Sequence, residues 1–401
     1  MQTVWITEIQ KNTEKSTSMK IQRAHQIQMN PNNQQANYFV RACGIARFVY
    51  NWALSEWIHQ YEAGDKPSVY GLKKKFNAIK REQYPWILEV TKCAPEQAFN
   101  NLGKAFKGFF RNLKAGRKSG YPCFKKRSKS KDSFYLSNDQ FQLNGKSIKI
   151  PKLGWVKMRE KLRLDGKIMS AVVSRTAGRW FVSIQVEIEA PEFQVGGSAL
   201  GVDLGIKELA TVSDGRVFGN PRPLKTKKRQ LRLYQKAVSR KKRGSNNRKK
   251  AIHRLQRLHY QISCIRKDAQ HKATTAITTG CRLLGIESLQ VKGMLKNHKL
   301  ARALSDASMG EVLRQLEYKA DGKGITLVKA DKFYPSSKTC SGCGSMKIDL
   351  ALGDRVYRCK HCGLELDRDL NAALNLKNLA VGSTVSACRL GSSGARALAH
   401  A

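Results

Sequence analysis

The segment CKHCGLELDRDLNAALNL, residues 359–376, joins a pair of cysteines to a group of acidic residues. A second CxxC pair lies fifteen residues upstream, and each pair closes a tight turn that can present two thiolates to one ion. Zn²⁺ favours four such ligands in a tetrahedral arrangement. The spacing therefore predicts a structural zinc site, without an open position for substrate, formed by Cys340, Cys343, Cys359 and Cys362.

A redox role for these cysteines is the alternative, but a thioredoxin-like site needs only one CxxC pair in a different context. His361 lies between two of the ligands, and we expect it not to bind the ion. The other cysteines are scattered along the chain and are interpreted as isolated small apolar residues.

The chain as a whole is strongly basic, with 74 lysines and arginines against 30 acidic residues in 401 residues and a formal net charge of +44. This imbalance predicts a polyanionic partner, by default nucleic acid. A membrane partner is disfavoured because no segment approaches the roughly 18 consecutive apolar residues of a membrane span. The first residues lack the apolar region of a signal peptide. We therefore expect a cytoplasmic, nucleoid-associated protein whose cysteines do not form disulfides.

The N-terminal half combines strand and helix patterns. Residues 19–28 alternate as in a strand, and helical apolar spacing follows in residues 33–63 and 94–115. From 134 to 189 the period is two, which predicts hairpins that turn at Asn144–Gly145 and Ala177–Gly178. These patterns predict a small β-barrel interrupted by a helical lobe, and we expect most of the helical aromatic side chains to lie in a core.

A strongly basic segment divides the C-terminal half. Residues 222–272 contain 19 lysines and arginines and a single acidic residue, Asp268. An apolar seam within the segment favours a helical hairpin that turns at residues 244–247 rather than a disordered tail. Such a one-sided charge distribution predicts a phosphate-binding surface.

Three acidic residues recur at the ends of predicted elements on either side of that segment. Asp203 ends an apolar strand, Glu287 lies near the end of a later strand, and Asp369 opens the last helix. A further helix over residues 305–320 and a strand before the cysteines complete an RNase H-like plan. This plan brings the three acids into one pocket, where two Mg²⁺ ions would offset their repulsion and promote attack on a phosphodiester.

Several motifs are similar to those of one known family. GVDLGIKELATVSDG, GIESLQVKGMLKNHKLARALSDAS, FYPSSKTCSGCG and CGLELDRDLNAALNL resemble the TnpB family of insertion-sequence proteins, formerly described as OrfB-type transposases. The segments GIARFVYNWAL and GYPCFKKR also resemble it, so the similarity covers residues 19–380. TnpB proteins are relatives of the type V CRISPR effector nucleases.

The resemblance implies an RNA-guided DNA endonuclease of a transposable element, with a RuvC-like nuclease domain. It carries over Asp203, Glu287 and Asp369 as catalytic acids that bind magnesium, and we expect Asp367 to support them. The implied partners are a guide RNA from the transposon end and double-stranded target DNA next to a short flanking motif. The protein is expected to be a monomer or a weak dimer.

The resulting domain organisation has six parts. We expect a possible non-native or disordered extension at 1–18, a wedge-like β-barrel at 19–32 and 117–190, a helical recognition lobe at 33–116, a RuvC-like nuclease domain at 198–335 and 364–380, a zinc-binding insert at 336–363, and a disordered tail at 381–401. Met19 is the expected first residue of the native protein.

Two other functions remain open. The same fold is used by unguided resolvases and transposases, and a regulator could keep the scaffold without the chemistry. Residues 50–55 and 92–97 are candidates for reading the flanking motif, but the sequence does not separate them from core positions.

Overall fold

The two halves of the chain form separate compact units, which meet in the sequence between Glu189 and Ala190. The structure, a computed structural model, describes residues 20–189, 196–351 and 353–394. The expectations for residues 1–18 and for Met19 fall outside the described residues. Among the helices that are described, none is long and apolar enough to cross a membrane.

The first unit contains two antiparallel sheets. The larger has the strand order β1-β7-β6-β2 and is formed by β1 (Lys20–Met29), β2 (Ser133–Ser137), β6 (Lys167–Thr176) and β7 (Arg179–Glu189). The smaller contains β3 (Gln142–Asn144), β4 (Ser147–Ile150) and β5 (Gly154–Lys157). The two sheets meet where Met29 bridges to Met158. The predicted strands are therefore present, and their closure into a barrel stays a prediction.

Three helices are inserted between β1 and β2. They are α1 (Asn33–Glu62), α2 (Val69–Gln83) and α3 (Cys93–Lys114), and a 3₁₀ turn at Pro85–Glu89 precedes α3. Helices α1 and α3 follow the predicted apolar spacing. Helix α2 was not predicted, because Leu72 and Phe76 are its buried residues and provide too little periodic signal.

Most aromatic residues of these helices lie in the core of the first unit, as predicted, whereas Tyr61 and Phe110 are 69% and 49% exposed. The ring of Phe39 on α1 lies 5.0 Å from that of Trp180 on β7 and 5.8 Å from that of Phe134 on β2. Between α1 and α3, Trp57 and Phe106 stack with ring centroids 4.1 Å apart. The helices are thus held to the sheet and to one another by aromatic contacts.

The two predicted hairpins are present, with one change in turn position. Ala177 and Gly178 connect β6 to β7 with positive φ angles of 51° and 77°, the geometry that a two-residue hairpin loop requires. In the other hairpin Asn144 pairs with Ser147. Its turn therefore consists of Gly145 and Lys146, one residue later than predicted, and Gly145 provides the positive φ.

The second unit is built on a mixed five-stranded sheet in the order β10-β9-β8-β11-β12. Strands β8, β9 and β10 form an antiparallel meander, while β11 runs parallel to both β8 and β12. These strand directions and this order are those of the predicted RNase H-like plan. The strands are β8 (Ser198–Asp203), β9 (Glu208–Val212), β10 (Val217–Gly219), β11 (Cys281–Ile286) and β12 (Thr326–Lys329).

Helices follow β10 and β11, and one long helix ends the described chain. They are α4 (Pro223–Thr226), α5 (Lys228–Ser239), α6 (Asn246–Thr278), α7 (Val291–Met294), α8 (Ala301–Ala307), α9 (Met309–Asp321) and α10 (Arg368–Gly394). Two short strands, β13 (Val356–Arg358) and β14 (Glu365–Asp367), pair before α10. Helices α5 and α6 are the predicted basic hairpin.

Two helix predictions differ from the structure. The helix expected over residues 305–320 is two helices, because Ser308 adopts a left-handed conformation with φ of 54° between them. The tail expected to be disordered from residue 381 continues as helix α10 to Gly394, and its remainder lies outside the described residues. A helix anchored by packing extends readily into a segment without proline, because its nucleation has already occurred.

Helix α10 lies directly against the backbone of the central strands. A Cβ atom at Gly201 on β8 would be 2.0 Å from the carbonyl oxygen of Ala373, and one at Gly285 on β11 would be 2.1 Å from that of Leu376. These two glycines are also register partners in the parallel sheet. The absence of both side chains therefore sets how closely α10 approaches the sheet.

We expect Gly285→Ala to destabilise the second unit by about 2 kcal/mol or more, because the added methyl group forces α10 away from β11. Gly293→Ala on α7 is the matched control, since nothing lies within 4 Å of its added Cβ. Denaturant unfolding measured by circular dichroism compares the two variants. Equal midpoints would contradict the packing described for Gly285.

Candidate metal-binding and catalytic site

Four cysteine thiols converge between β12 and α10. The sulfur atoms of Cys340, Cys343, Cys359 and Cys362 all lie within 4.8 Å of one another, the only such group of potential metal ligands within the described ranges. Each cysteine has a partner in the other pair at 3.6 Å, Cys340 with Cys362 and Cys343 with Cys359. The predicted cluster is therefore present, and four thiols at this spacing match the donor set of structural zinc.

The backbone around the cysteines repeats the same turn twice. The amide of Gly344 donates to the carbonyl of Cys340 at 3.0 Å, and the amide of Gly363 donates to that of Cys359 at 3.2 Å. Both glycines are left-handed, with φ angles of 76° and 72°. Each CxxCG segment thus forms a knuckle whose backbone directs two thiols to one point.

The three predicted acids lie at one end of the interface between α10 and the sheet. Gly201 and Gly285 each precede an acid by two residues, Asp203 at the end of β8 and Glu287 just after β11. Because side chains alternate along a strand, both acids extend from the face that α10 covers. Asp369, the second residue of α10, lies one turn before the residues that pack on Gly201.

Asp203 interacts electrostatically with Glu287 and Asp369. The pKa of Asp203 is raised to about 8, first by desolvation of its half-buried carboxyl and then by the charges of Glu287 and Asp369. The neighbouring Arg368 charge and the backbone amide of Leu204 act in the opposite direction. A carboxyl with such a shifted pKa beside two other acids is typical of a functional site and of a site for cations.

Asp367 differs from the three acids in that its side chain binds the backbone of helix α10. Its Oδ1 accepts hydrogen bonds from the amides of Asp369 and Leu370, at 2.9 and 3.2 Å. It therefore caps the first turn of α10. This contact fixes the backbone that carries Asp369, in agreement with the supporting role expected for Asp367.

A polar network that the sequence did not predict connects Glu287 to the first cysteine knuckle. Ser336 Oγ donates to Glu287 Oε1 at 2.7 Å, and the Ser336 carbonyl accepts from Asn375 Nδ2, also at 2.7 Å. Asn375 Nδ2 also donates to the Thr339 carbonyl at 2.6 Å. Asn371, one turn earlier on α10, binds the same carbonyl at 2.7 Å.

The network ends at the knuckle itself. Asn371 Oδ1 accepts from the amide of Ser341, between Cys340 and Cys343, at 2.9 Å. Asn371 and Asn375 are 0% and 3% exposed, so their amide groups have little access to water. Their spacing of four residues on an otherwise apolar helix face was the signal that could have identified them, since buried amides require partners.

The raised pKa of Asp203 leads to a pH-dependent stability. An unfolded aspartate has a pKa of about 3.9, whereas the folded value is about 8. Between these values the unfolded chain loses a proton that the folded chain retains, so the free energy of unfolding falls as the pH rises. Asp203→Asn removes this effect. In buffer free of Mg²⁺, we expect the variant to melt above the native protein at pH 8, with a smaller difference at pH 5.

Asp214 provides a control of opposite sign. Although its carboxyl is desolvated, hydrogen bonds from the side chain and backbone of Arg216 lower its pKa below the usual value. That shift adds stability above the unfolded pKa, so Asp214→Asn should lower the melting temperature at pH 8. Scanning calorimetry at the two pH values measures both variants, and an Asp203→Asn effect independent of pH would contradict the coupling.

Family models match three parts of the chain. A "Probable transposase" model of the OrfB type of IS605 covers residues 183–298. A Cas12f1-like TNB domain covers residues 310–376, and a helix-turn-helix domain covers residues 19–66. The three matches extend over both units.

Curated proteins match the chain over most of its length. A protein of Streptomyces pristinaespiralis with the name "Putative RNA-guided DNA endonuclease" is 34% identical, covering 92% of this chain and 91% of the relative. InsQ of Escherichia coli K12, with the same description, is 32% identical over 92% of this chain and 94% of its own. The Cas12f1 endodeoxyribonuclease of Sulfoacidibacillus thermotolerans is 25% identical over 49% of this chain and 50% of its own.

The strand order, the acidic group and the cysteine knuckles together define an RNase H-like domain with an insert that carries four clustered cysteines. The full-length similarity is more specific: the chain belongs to the TnpB family, the OrfB-type proteins of IS605 elements. This assignment agrees with the resemblance found in the sequence motifs.

Proposed function

We propose that the protein is an RNA-guided DNA endonuclease of a transposable element, which cleaves target DNA next to a short flanking motif. The full-length similarity to relatives that bear this name is the observation that carries the proposal. The electrostatic coupling of Asp203 to Glu287 and Asp369 supports the nuclease part. The net charge of +44 supports nucleic acid as the partner.

Asp203, Glu287 and Asp369 are the proposed catalytic acids and would hold two Mg²⁺ ions. Bound there, the ions would supply an activated water and neutralise the charge that develops on the phosphodiester. Ser336 orients Glu287 by its hydrogen bond, and Asp367 fixes the helix turn that carries Asp369. The three carboxylates come from the end of β8, the residue after β11 and the first turn of α10, so their spacing depends on the packing of that helix.

The remaining parts of the chain are proposed to bind nucleic acid. Base pairing with a guide RNA would read the target sequence, while the protein contacts mainly the backbone of the heteroduplex. The basic hairpin of α5 and α6 offers a surface for those phosphates. We assign the helical lobe at 33–116 and the sheets at 19–32 and 117–190 to the RNA scaffold and the flanking motif.

The four cysteines are proposed to hold one structural Zn²⁺ ion per chain. We expect Cys340→Ser to lose the zinc and to lower the melting temperature of the second unit, because the knuckles then lack their shared ligand. Cys264→Ser is the control, since Cys264 is exposed on α6 and lies outside the cluster. Elemental analysis and calorimetry provide the two readouts. A zinc-free protein that melts like the native one would contradict the proposal.

The guided activity is tested by expressing the gene with its flanking DNA and sequencing the RNA that copurifies. We expect one discrete species, with a constant scaffold and a variable end. The complex should then cut DNA that matches the variable end in the presence of Mg²⁺, and a library with randomised flanks identifies the motif. Asp203→Ala should abolish cleavage and leave RNA binding unchanged, while Asp214→Ala should retain both.

The other outcomes separate the alternative functions. Cleavage of duplex DNA without a matching RNA would identify an unguided resolvase or transposase. A heterogeneous mixture of cellular RNA without any cleavage would indicate a binding protein that lacks catalysis. Equal cleavage by the native protein and Asp203→Ala would show that the acids do not take part in catalysis.

A further inference from the structure

An exposed phenylalanine lies close to the acidic site. The side chain of Phe333 is 84% exposed, the highest value among the large apolar residues of the described chain. It follows β12 and precedes Ser336 by three residues. Since three residues span at most about 10 Å, its backbone lies within that distance of the serine that binds Glu287.

The chain beneath Phe333 is fixed on both sides. The amide of Tyr334 donates to the carbonyl of Asp331 at 3.0 Å, and the Tyr334 hydroxyl donates to the carbonyl of Asn375 on α10 at 3.4 Å. Ser336 is buried and joins the network described above. The ring is therefore presented to solvent by an ordered turn.

A lysine side chain lies over the ring of Phe333. The ammonium of Lys332 lies 4.6 Å from the centroid of the Phe333 ring. Lys332 also lines a cavity whose wall includes Glu287 and Lys329. An aromatic face, a cation and a catalytic carboxylate are thus adjacent. Proteins that hold single-stranded nucleic acid combine aromatic faces for the bases with cations for the phosphates.

We propose that Phe333 and Lys332 form a subsite for one unpaired DNA nucleotide next to the phosphate that is cleaved. The base stacks on the phenylalanine ring, and the ammonium of Lys332 contacts the adjacent phosphate. This inference rests on the proposed nuclease function and adds a substrate contact to it. Single-stranded DNA fits better than an apolar protein partner, because a protein surface over the ring would also cover the charge of Lys332.

The subsite is tested with single-stranded DNA that carries one 2-aminopurine, whose fluorescence is quenched by stacking. The full-length protein with its copurified RNA is titrated in Mg²⁺-free buffer, so that no cleavage occurs. We expect Phe333→Ala to reduce the affinity about 10-fold or more and to remove the quenching, as for the loss of one stacking contact. Phe333→Trp should retain both. Ile348→Ala is the control, because Ile348 is 80% exposed in the insert.

Lys332→Gln tests the cation separately. We expect quenching to persist, while the slope of the logarithm of affinity against that of salt concentration falls by about 0.7, the value for one phosphate of a single strand. An unchanged slope would remove Lys332 from the subsite. Melting temperatures of all variants should remain equal, since the exposed side chains contribute little to folding.

Cleavage by the programmed complex completes the test. With Mg²⁺, Phe333→Ala should cut about 10-fold more slowly than the native protein, with unchanged RNA binding. If the native protein quenches 2-aminopurine but cleaves no guided target, the subsite is supported and the proposed function fails. Equal quenching by the native protein and Phe333→Ala would overturn the subsite. A change in self-association of Phe333→Ala, measured by sedimentation, with unaltered DNA affinity would also overturn it.

Discussion

The close packing of helix α10 on Gly201 and Gly285 is the constraint on which the second unit depends. Two neighbouring parallel strands lack a side chain at the same register position, so the helix backbone approaches the strand backbone directly. Asp203 ends β8, Glu287 directly follows β11, and Asp369 lies in the first turn of the same helix. One packing contact therefore stabilises the fold and sets the spacing of the acids.

The basic and the acidic side chains of the chain lie in different environments. Most of the excess of lysine and arginine lies on surfaces that water screens, including the hairpin of α5 and α6. Asp203 instead lies in a desolvated position, and this desolvation, with the charges of Glu287 and Asp369 added to it, raises its pKa to about 8. Burial that is unfavourable for an isolated carboxylate becomes useful where cations bind, since each cation relieves the repulsion.

The elements with strong local signals were predictable from the sequence. The cysteine spacing predicted the cluster, the hairpin turns predicted the strand pairs, and the acids at the ends of elements predicted the RNase H-like plan. The pattern Gly-Val-Asp at 201–203 recurs as Gly-Ile-Glu at 285–287. The sequence alone does not show why glycine is required at both positions, because that depends on the pairing of the two strands. The contacts of Asn371 and Asn375 were not predictable either, because their partners lie thirty or more residues earlier. The periodic signal of helix α2 was too weak to predict it, and the apolar pattern does not mark the break at Ser308.

The order of the acids along the chain has a consequence for synthesis. Asp369 lies 166 residues after Asp203 (369 − 203) and 82 after Glu287 (369 − 287). At a translation rate of about 5 to 20 residues per second, Asp369 is added about 4 to 16 seconds after Glu287. The first unit and the basic hairpin have already been synthesised by that time. A nascent chain therefore presents its basic surface before the acidic group is complete, and a chain that ends before Asp369 carries that surface without the full group.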